Sequence, residues 1–134
     1  MALNSFLSSW SGKVLSILRI VSAALMMQHG GQKVLGFPAP SQGEFVLFSQ
    51  MGLAGILELV VAFLLLIGLF TRTSAFLLSG LMAVAYFMAH GSQGFWPLVN
   101  GGELAVIYCF VYLYLVFAGG GDWSVDRLLS KRRA

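Results

Sequence analysis

Titratable and hydrogen-bonding side chains stand inside or beside the apolar runs of this chain, where such groups are costly to bury. The main candidates for chemistry are Arg19, His29, Glu58, Tyr86, His90 and Glu103. Three further polar neighbours are Lys33, Trp96 and Asn100. Ionisable groups inside a bilayer usually mark a ligand site or a proton route. Such groups could exchange protons with a bound molecule or hydrogen-bond its carbonyl oxygens.

The spacing of these residues predicts that they share helix faces. In the first apolar run the polar face recurs every three or four residues, at Arg19, Ser22, Met26, His29 and Lys33. At about 100° per residue this spacing gives one stripe, which should face the interior of a bundle. The third run has a similar stripe at Ser79, Ala83, Tyr86 and His90. The second run combines Glu58 with small residues, which let a neighbouring helix approach closely: Ala54, Gly55 and Ala62.

Depth along the helices divides the candidates into two groups. Glu58 and Arg19 are expected to lie deep in the membrane, whereas His29, His90 and Glu103 are expected near its non-cytoplasmic face. The deep pair could be a structural ion pair that sets helix register, or a proton or ligand site. The sequence is compatible with either role.

For His29, His90 and Glu103 there are simpler alternative interpretations. Two histidines on different helices lack a third ligand at metal-like spacing, so we expect no metal. Asn100 and Glu103 resemble a capping box, which favours a structural role for that carboxylate. The aromatic residues of the fourth run are attributed mostly to interfacial belts and lipid contact: Tyr108, Phe110, Tyr112, Tyr114 and Phe117.

The elements that must position these side chains follow from composition. Of 134 residues, 58% are hydrophobic and only 10% are charged, with a mean hydropathy of +0.86. A soluble domain carries about a quarter charged residues, so lipid is the expected solvent. No run alternates with period two, and the prediction is therefore an all-α integral membrane four-helix bundle. It forms one domain over residues 1–134, with helices at about 14–33, 51–70, 73–90 and 101–118 and an interfacial segment at 122–130.

The distribution of basic residues predicts the orientation. With four spans, both termini and the middle turn share one side, which holds Lys13, Arg72, Arg127, Lys131, Arg132 and Arg133. The other side holds only Lys33. By the positive-inside rule both termini are cytoplasmic, in the inner (cell) membrane. Because the basic residues crowd the tail, they suit anionic headgroups, and no nucleic acid partner is expected.

Short motifs follow one another in a specific order along the chain: Leu18-Arg19-Ile20, His29 to Phe37, Glu58, Gly68 to Arg72, Met82 to Ala85, His90, Gly94 to Pro97, Asn100 to Glu103 and Gly119 to Asp126. By their order and spacing the chain resembles the DoxX family of small four-helix membrane proteins along essentially its whole length. The resemblance implies a protein connected with quinone or thiol redox systems. Arg19, His29, Lys33, Glu58, His90 and Glu103 match the family pattern, which does not itself assign them catalytic roles.

Two functions are expected from this combination. The first is a quinone-interacting redox accessory subunit whose polar cavity opens on the non-cytoplasmic side, with a quinone as its only expected cofactor. One cysteine, Cys109, and no haem or flavin motif mean that electrons would come from a membrane protein partner. The second is a non-enzymatic structural or assembly subunit, or a binder of lipid-like small molecules. Either could be a homo-oligomer, and a transporter is less expected because no inverted repeat is visible.

Overall fold

The computed structural model describes residues 2–41 and 43–133, which form helices joined by turns and short loops. Met1, Gln42 and Ala134 fall inside the domain expected over 1–134 but lie outside the described residues. The long helices are α1 (Ala2–Leu35), α2 (Gln50–Ile67), α3 (Thr71–Ala85) and, after the four-residue α4 (Pro97–Asn100), α5 (Glu103–Ala118). A last helix, α6 (Val125–Arg133), follows a glycine-rich turn. No strand occurs over the described ranges, so the all-α prediction is confirmed.

Helix length and composition support a membrane protein. Three helical stretches of the described chain are long and apolar enough to cross a bilayer: Leu3–Leu35, Gln50–Ile67 and Thr71–Gln93. The last of these combines α3 with a π-helical turn (Tyr86–His90) and a 3-10 turn (Gly91–Gln93). A fourth apolar helix, α5, is shorter at 16 residues.

The bundle is built from two helix pairs. α1 packs mainly on α2, and α3 packs mainly on α5. Their shared interior is largely apolar, and Met26, Leu65, Leu78, Tyr112 and Leu115 are almost fully buried in it. Burial of such side chains, together with satisfied backbone hydrogen bonds within each helix, holds a bundle together in lipid.

Several helix boundaries differ from those expected from the apolar runs. α1 begins at Ala2 rather than near residue 14, because residues 2–13, where serines alternate with Leu3, Phe6, Leu7 and Trp10, continue the same helix. α2 ends at Ile67, because Gly68 adopts a left-handed conformation (φ 71°) that closes the helix. The turn to α3 therefore lies at residues 68–70, ahead of the gap between the helices expected at 51–70 and 73–90. Phe70 is also left-handed there, and its N–H donates to the Asp126 carboxylate at 2.8 Å.

The C-terminal segment is docked across one end of the bundle. The backbone N–H of Asp122 donates to the Gly12 carbonyl at 3.0 Å, and that of Trp123 donates to Ser16 Oγ at 3.0 Å. Asp126 receives the N–H groups of both Phe70 and Thr71, each at 2.8 Å, which caps α3. The part of α1 around Gly12 and Ser16, the α2–α3 turn and the C-terminal segment thus meet at the same end, which we call the closed end.

Candidate functional site

A buried ion pair joins α1 to α2 at the end of the bundle opposite the closed end. Lys33 Nζ lies 2.5 Å from Glu58 Oε1 and 2.6 Å from Glu58 Oε2. Glu58 is only 2% exposed, while the lysine side chain is 25% exposed. Because a carboxylate in an apolar surrounding needs a partner, this contact is what allows a charged Glu58 to be buried.

Two glycines bring the helices close enough for that contact. A Cβ on Gly30 would lie 2.7 Å from the backbone nitrogen of Leu59, and one on Gly55 would lie 2.9 Å from the Cβ of Lys33. Both glycines are buried. The expected close approach of small residues on α2 is therefore realised against α1, directly beside the ion pair.

The expected pairing of Arg19 with Glu58 is wrong. Arg19 is fully buried at the closed end, where its guanidinium donates to four backbone carbonyls. These belong to Leu65 and Leu66 at the end of α2 (2.6 Å each), to Gly120 (2.9 Å) and to Trp123 (2.6 Å). The side chain thus satisfies carbonyls that the helix end leaves free and ties down the C-terminal segment. Its role in this structure is to hold elements together.

His90 ends the π-helical turn that continues α3. Its Nδ1 lies 3.0 Å from the backbone oxygen of Asn100, and its ring stacks on Tyr86 with centroids 6.4 Å apart. π-Turns inside helices are rare and occur frequently at functional sites. Asn100 is 4% exposed, and its side chain bonds the Tyr86 hydroxyl (3.1 Å), the Gly94 carbonyl (2.7 Å) and the Gly102 N–H (2.8 Å).

His29 on α1 and Tyr108 on α5 are two further polar side chains near the ion pair and His90. Their rings make an edge-to-face contact with centroids 6.3 Å apart. Tyr108 also stacks on Tyr112 at 5.6 Å, and the Tyr112 hydroxyl donates to the Ser22 carbonyl at 2.9 Å. His29 makes no hydrogen bond to any residue over the described ranges, so its ring nitrogens are available to a ligand.

These groups surround a cavity of about 610 Å³ between the four long helices. Its polar lining comes from His29, Lys33, Glu58, His90, Tyr108 and Gln50. The rest of the lining is apolar: Met26, Met51, Leu53, Ala54, Leu57, Leu81, Met82, Val84, Ala85, Met88, Ala89, Gly101, Leu104 and Ala105. A mostly apolar cavity of this size with a few convergent polar groups is typical of a small-molecule site.

Exposed apolar residues mark the side on which the cavity is open. Leu57 on α2, Val84 on α3 and Met88 on the π-turn line it, yet they are 45%, 53% and 56% exposed. α2 and α3 are joined at the closed end, and these residues lie away from it. An apolar opening on the side of a membrane bundle faces lipid, which allows entry of a molecule dissolved in the bilayer.

Lys33 also lines a second, smaller cavity of about 360 Å³ under the loop between α1 and α2. That cavity is more polar and includes Gln32, Ser41, Glu44 and Ser49. Lys33 and Met51 are common to both cavities. The ion pair therefore lies between the larger, apolar cavity and the smaller, more polar cavity, which we call the polar vestibule.

The remaining candidates lie outside the larger cavity. Glu103 is exposed, and α5 begins with Gly102 as its N-cap without a side-chain cap, so the capping-box prediction is wrong. Trp96 is 69% exposed beside Phe95. Tyr86 and Asn100 are buried behind His90 and support it without lining the cavity.

The sequence patterns place Met26 on an interior face but do not indicate Tyr108, Met82 or Met88 as lining residues. The interfacial interpretation of the aromatics is wrong for Tyr108 and Tyr112, which are 6% and 0% exposed, although Tyr114 is 58% exposed. A signal existed, because Leu104, Ala105 and Tyr108 recur at helical spacing on one face of α5. No charge marked that face as interior. In the described part of the chain, no cluster of three or more His, Cys, Asp or Glu side chains could hold a metal ion.

Comparison with known proteins identifies relatives over most of the chain. The DoxX family model matches residues 14–91. An uncharacterized protein of Haemophilus influenzae is 43% identical over 123 residues, covering 88% of this chain and 92% of the relative. An uncharacterized membrane protein of Mycobacterium tuberculosis is 28% identical over 134 residues, covering 86% of this chain and 80% of the relative. No solved structure is significantly similar to the chain.

Proposed function

Since the chain belongs to the DoxX family, we propose that it is a quinone-interacting accessory subunit of a membrane redox system. The observation that carries the proposal is the juxtaposition of an apolar, laterally open cavity with Lys33, Glu58, His29 and His90. A quinone combines a flat apolar ring, which suits the methionine- and leucine-rich lining, with carbonyl oxygens that need donors. Lys33 is the fixed cationic donor.

Binding in this cavity would proceed from the lipid. The quinone ring passes between Leu57 and Met88. Its apolar contacts with lipid are replaced by apolar contacts with the protein. One oxygen then accepts a hydrogen bond from Lys33, whose ammonium stays balanced by Glu58. His29 and His90 are the groups that exchange protons with the ring oxygens. Electrons are supplied or removed by a membrane protein partner.

The same proposal includes a topology. α1, α2, α3 with its π-turn, and the shorter α5 form four spans, and the closed end with both termini faces the cytoplasm. The basic residues of the closed-end side support this orientation: Lys13, Arg72, Arg127, Lys131, Arg132 and Arg133. The ion pair and both cavities then lie toward the outer face of the inner membrane.

One observation favours a second candidate, a non-enzymatic binder of lipid-like molecules that serves an assembly role. The half-exposed apolar rim at Leu57, Val84 and Met88 would also admit an acyl chain. An acyl chain has no polar atom for Lys33 or His90, so this function would leave the polar lining unused. The two candidates therefore differ in whether binding depends on the polar groups.

The test is equilibrium dialysis of the purified protein in mild detergent against decylubiquinone. Ala85 lines the cavity, so Ala85→Phe should fill it and abolish binding. Val60 is 56% exposed on α2 and lies outside the lining, so Val60→Phe adds a large ring at the lipid-facing surface and should bind like wild type. Equal binding by both variants, with equal thermal stability, would contradict a cavity site. Phospholipid in mass spectra of the purified protein, with no quinone uptake, would favour the second candidate.

A further inference from the structure

The hydrogen bond of His90 determines which of its nitrogens can face a ligand. The Asn100 backbone oxygen is a carbonyl and can only accept, so the proton of the neutral ring must be on Nδ1. Nε2 then carries a lone pair and acts as an acceptor. No described residue donates to Nε2, and the side chain lines the larger cavity.

The carbonyl that sets this tautomer is held rigidly. All three hydrogen bonds of the Asn100 side chain go to the loop that carries it, at Gly94 and Gly102, and to the Tyr86 hydroxyl. Tyr86 in turn donates to the Phe95 carbonyl. A Cβ on Gly102 would lie 2.7 Å from the Tyr86 ring, so the loop also packs tightly on that side chain. A buried network whose polar atoms are satisfied fixes one arrangement.

Lys33, on the other side of the cavity, is a hydrogen-bond donor, whereas Nε2 of His90 is an acceptor. An ammonium has three N–H donors, and Glu58 takes two of them. The third remains as a donor. The cavity therefore offers a donor from α1 and an acceptor from the π-helical turn that follows α3.

From this polarity we infer that the cavity selects the reduced, hydroxyl-bearing form of its ring ligand over the oxidised form. The inference rests on the proposed function and adds the chemical class that is preferred, a quinol. A quinol hydroxyl can donate to His90 Nε2, while an oxygen elsewhere on the ring accepts from Lys33. A quinone presents only acceptors, so its oxygen would meet the lone pair of Nε2 and leave that atom without a partner. His90 is the specificity-determining residue, and Asn100 and Tyr86 are positioning residues.

The experiment compares the affinities of decylubiquinol and decylubiquinone under anaerobic conditions. Wild type should bind the quinol roughly tenfold more tightly or better, because one hydrogen bond is made in place of an unpaired acceptor. In His90→Phe the ratio should fall to about one. His29→Phe changes the other cavity histidine and should keep the preference, even where both affinities fall together. Separately, ¹⁵N NMR of the histidines should show His90 protonated on Nδ1.

The outcomes separate this inference from the proposed function. Equal affinities for quinol and quinone in wild type, both abolished by Ala85→Phe, would overturn the quinol preference and leave the quinone site standing. A His90 ring protonated on Nε2 would overturn the preference as well. Failure of wild type to bind either form would instead overturn the proposed function.

Discussion

Lys33 on α1 holds both carboxylate oxygens of Glu58 on α2, at 2.5 and 2.6 Å, across a helix contact made close by glycines. The pair links the two helices, and its lysine borders both the apolar cavity and the polar vestibule. A charge pair placed there serves structure and binding together. Variants can separate the two roles.

Lys33→Met should destabilise the protein by about 3–5 kcal/mol, because it leaves the Glu58 carboxylate buried without its counter-charge. The double variant Lys33→Met/Glu58→Gln removes both charges and should recover most of that stability. It should still bind decylubiquinone at least about tenfold more weakly than wild type, since the donor is gone. Thermal denaturation in detergent and equilibrium dialysis measure the two effects.

Lys131→Met is the matched control, because Lys131 is exposed on α6 and remote from both cavities. It should leave stability and binding unchanged. Wild-type affinity in the double variant would show that Lys33 is not the donor to the ligand.

Arg19→Met should loosen the closed end. Four carbonyl oxygens lose their donor, and each unpaired buried acceptor costs about 1–3 kcal/mol unless water reaches it. We expect a large fall in thermal stability and faster proteolytic removal of the segment after Gly119. Arg72→Met is the comparison, because that arginine also donates to helix-end carbonyls, of Val116 and Phe117, but is exposed. An effect of Arg19→Met no larger than that of Arg72→Met would contradict the role assigned to the buried guanidinium.

Gly30→Ala should weaken ligand binding through helix spacing. Its new Cβ would lie 2.7 Å from the Leu59 nitrogen and 2.8 Å from the Gly55 oxygen, so α1 and α2 must separate. Lys33 would then move away from Glu58, lowering both stability and decylubiquinone affinity. Gly80→Ala is the control, since nothing lies within 4 Å of a Cβ there and alanine favours a helix by about 0.5–1 kcal/mol. Unchanged binding by Gly30→Ala would mean that the close approach is not needed for the site.

Cysteine labelling in a Cys109→Ser background tests the orientation. Ser8 lies on α1 beyond the closed end, and Ser92 lies in the turn after His90, where both residues are exposed. A membrane-impermeant maleimide applied to spheroplasts should label Ser92→Cys directly and Ser8→Cys only after permeabilisation. The reverse pattern would place the cavities toward the cytoplasm.

Helix-face periodicity predicted much of this arrangement. The stripe from Arg19 to Lys33 does face the interior, and His29, Lys33, Glu58 and His90 do line one cavity. Periodicity could not predict which cation meets Glu58. Arg19 and Lys33 share a face but lie about 21 Å apart along a helix, so the choice depends on the register of α1 against α2. That register follows from the Gly30–Gly55 contact, which only the folded chain reveals.

The hydrogen bond of His90 could not be predicted from the sequence either. Its tautomer depends on the carbonyl of a residue ten positions later, brought back by the segment over residues 91–102. The sequence predicts a lipid-interface position for Tyr108, because its helix is apolar on every side. Its buried face is set by the packing of α5 on α3, which the sequence does not show.

Photoaffinity labelling with an azido-quinone, followed by peptide mass spectrometry, tests the central claim most directly. The account predicts that labels concentrate on residues lining the cavity, such as Met26, Leu57, Met82, Met88 and Tyr108, and that excess decylubiquinol suppresses them. Labels spread over lipid-facing side chains such as Phe63, Phe76 and Phe110, with no suppression by competitor, would contradict it.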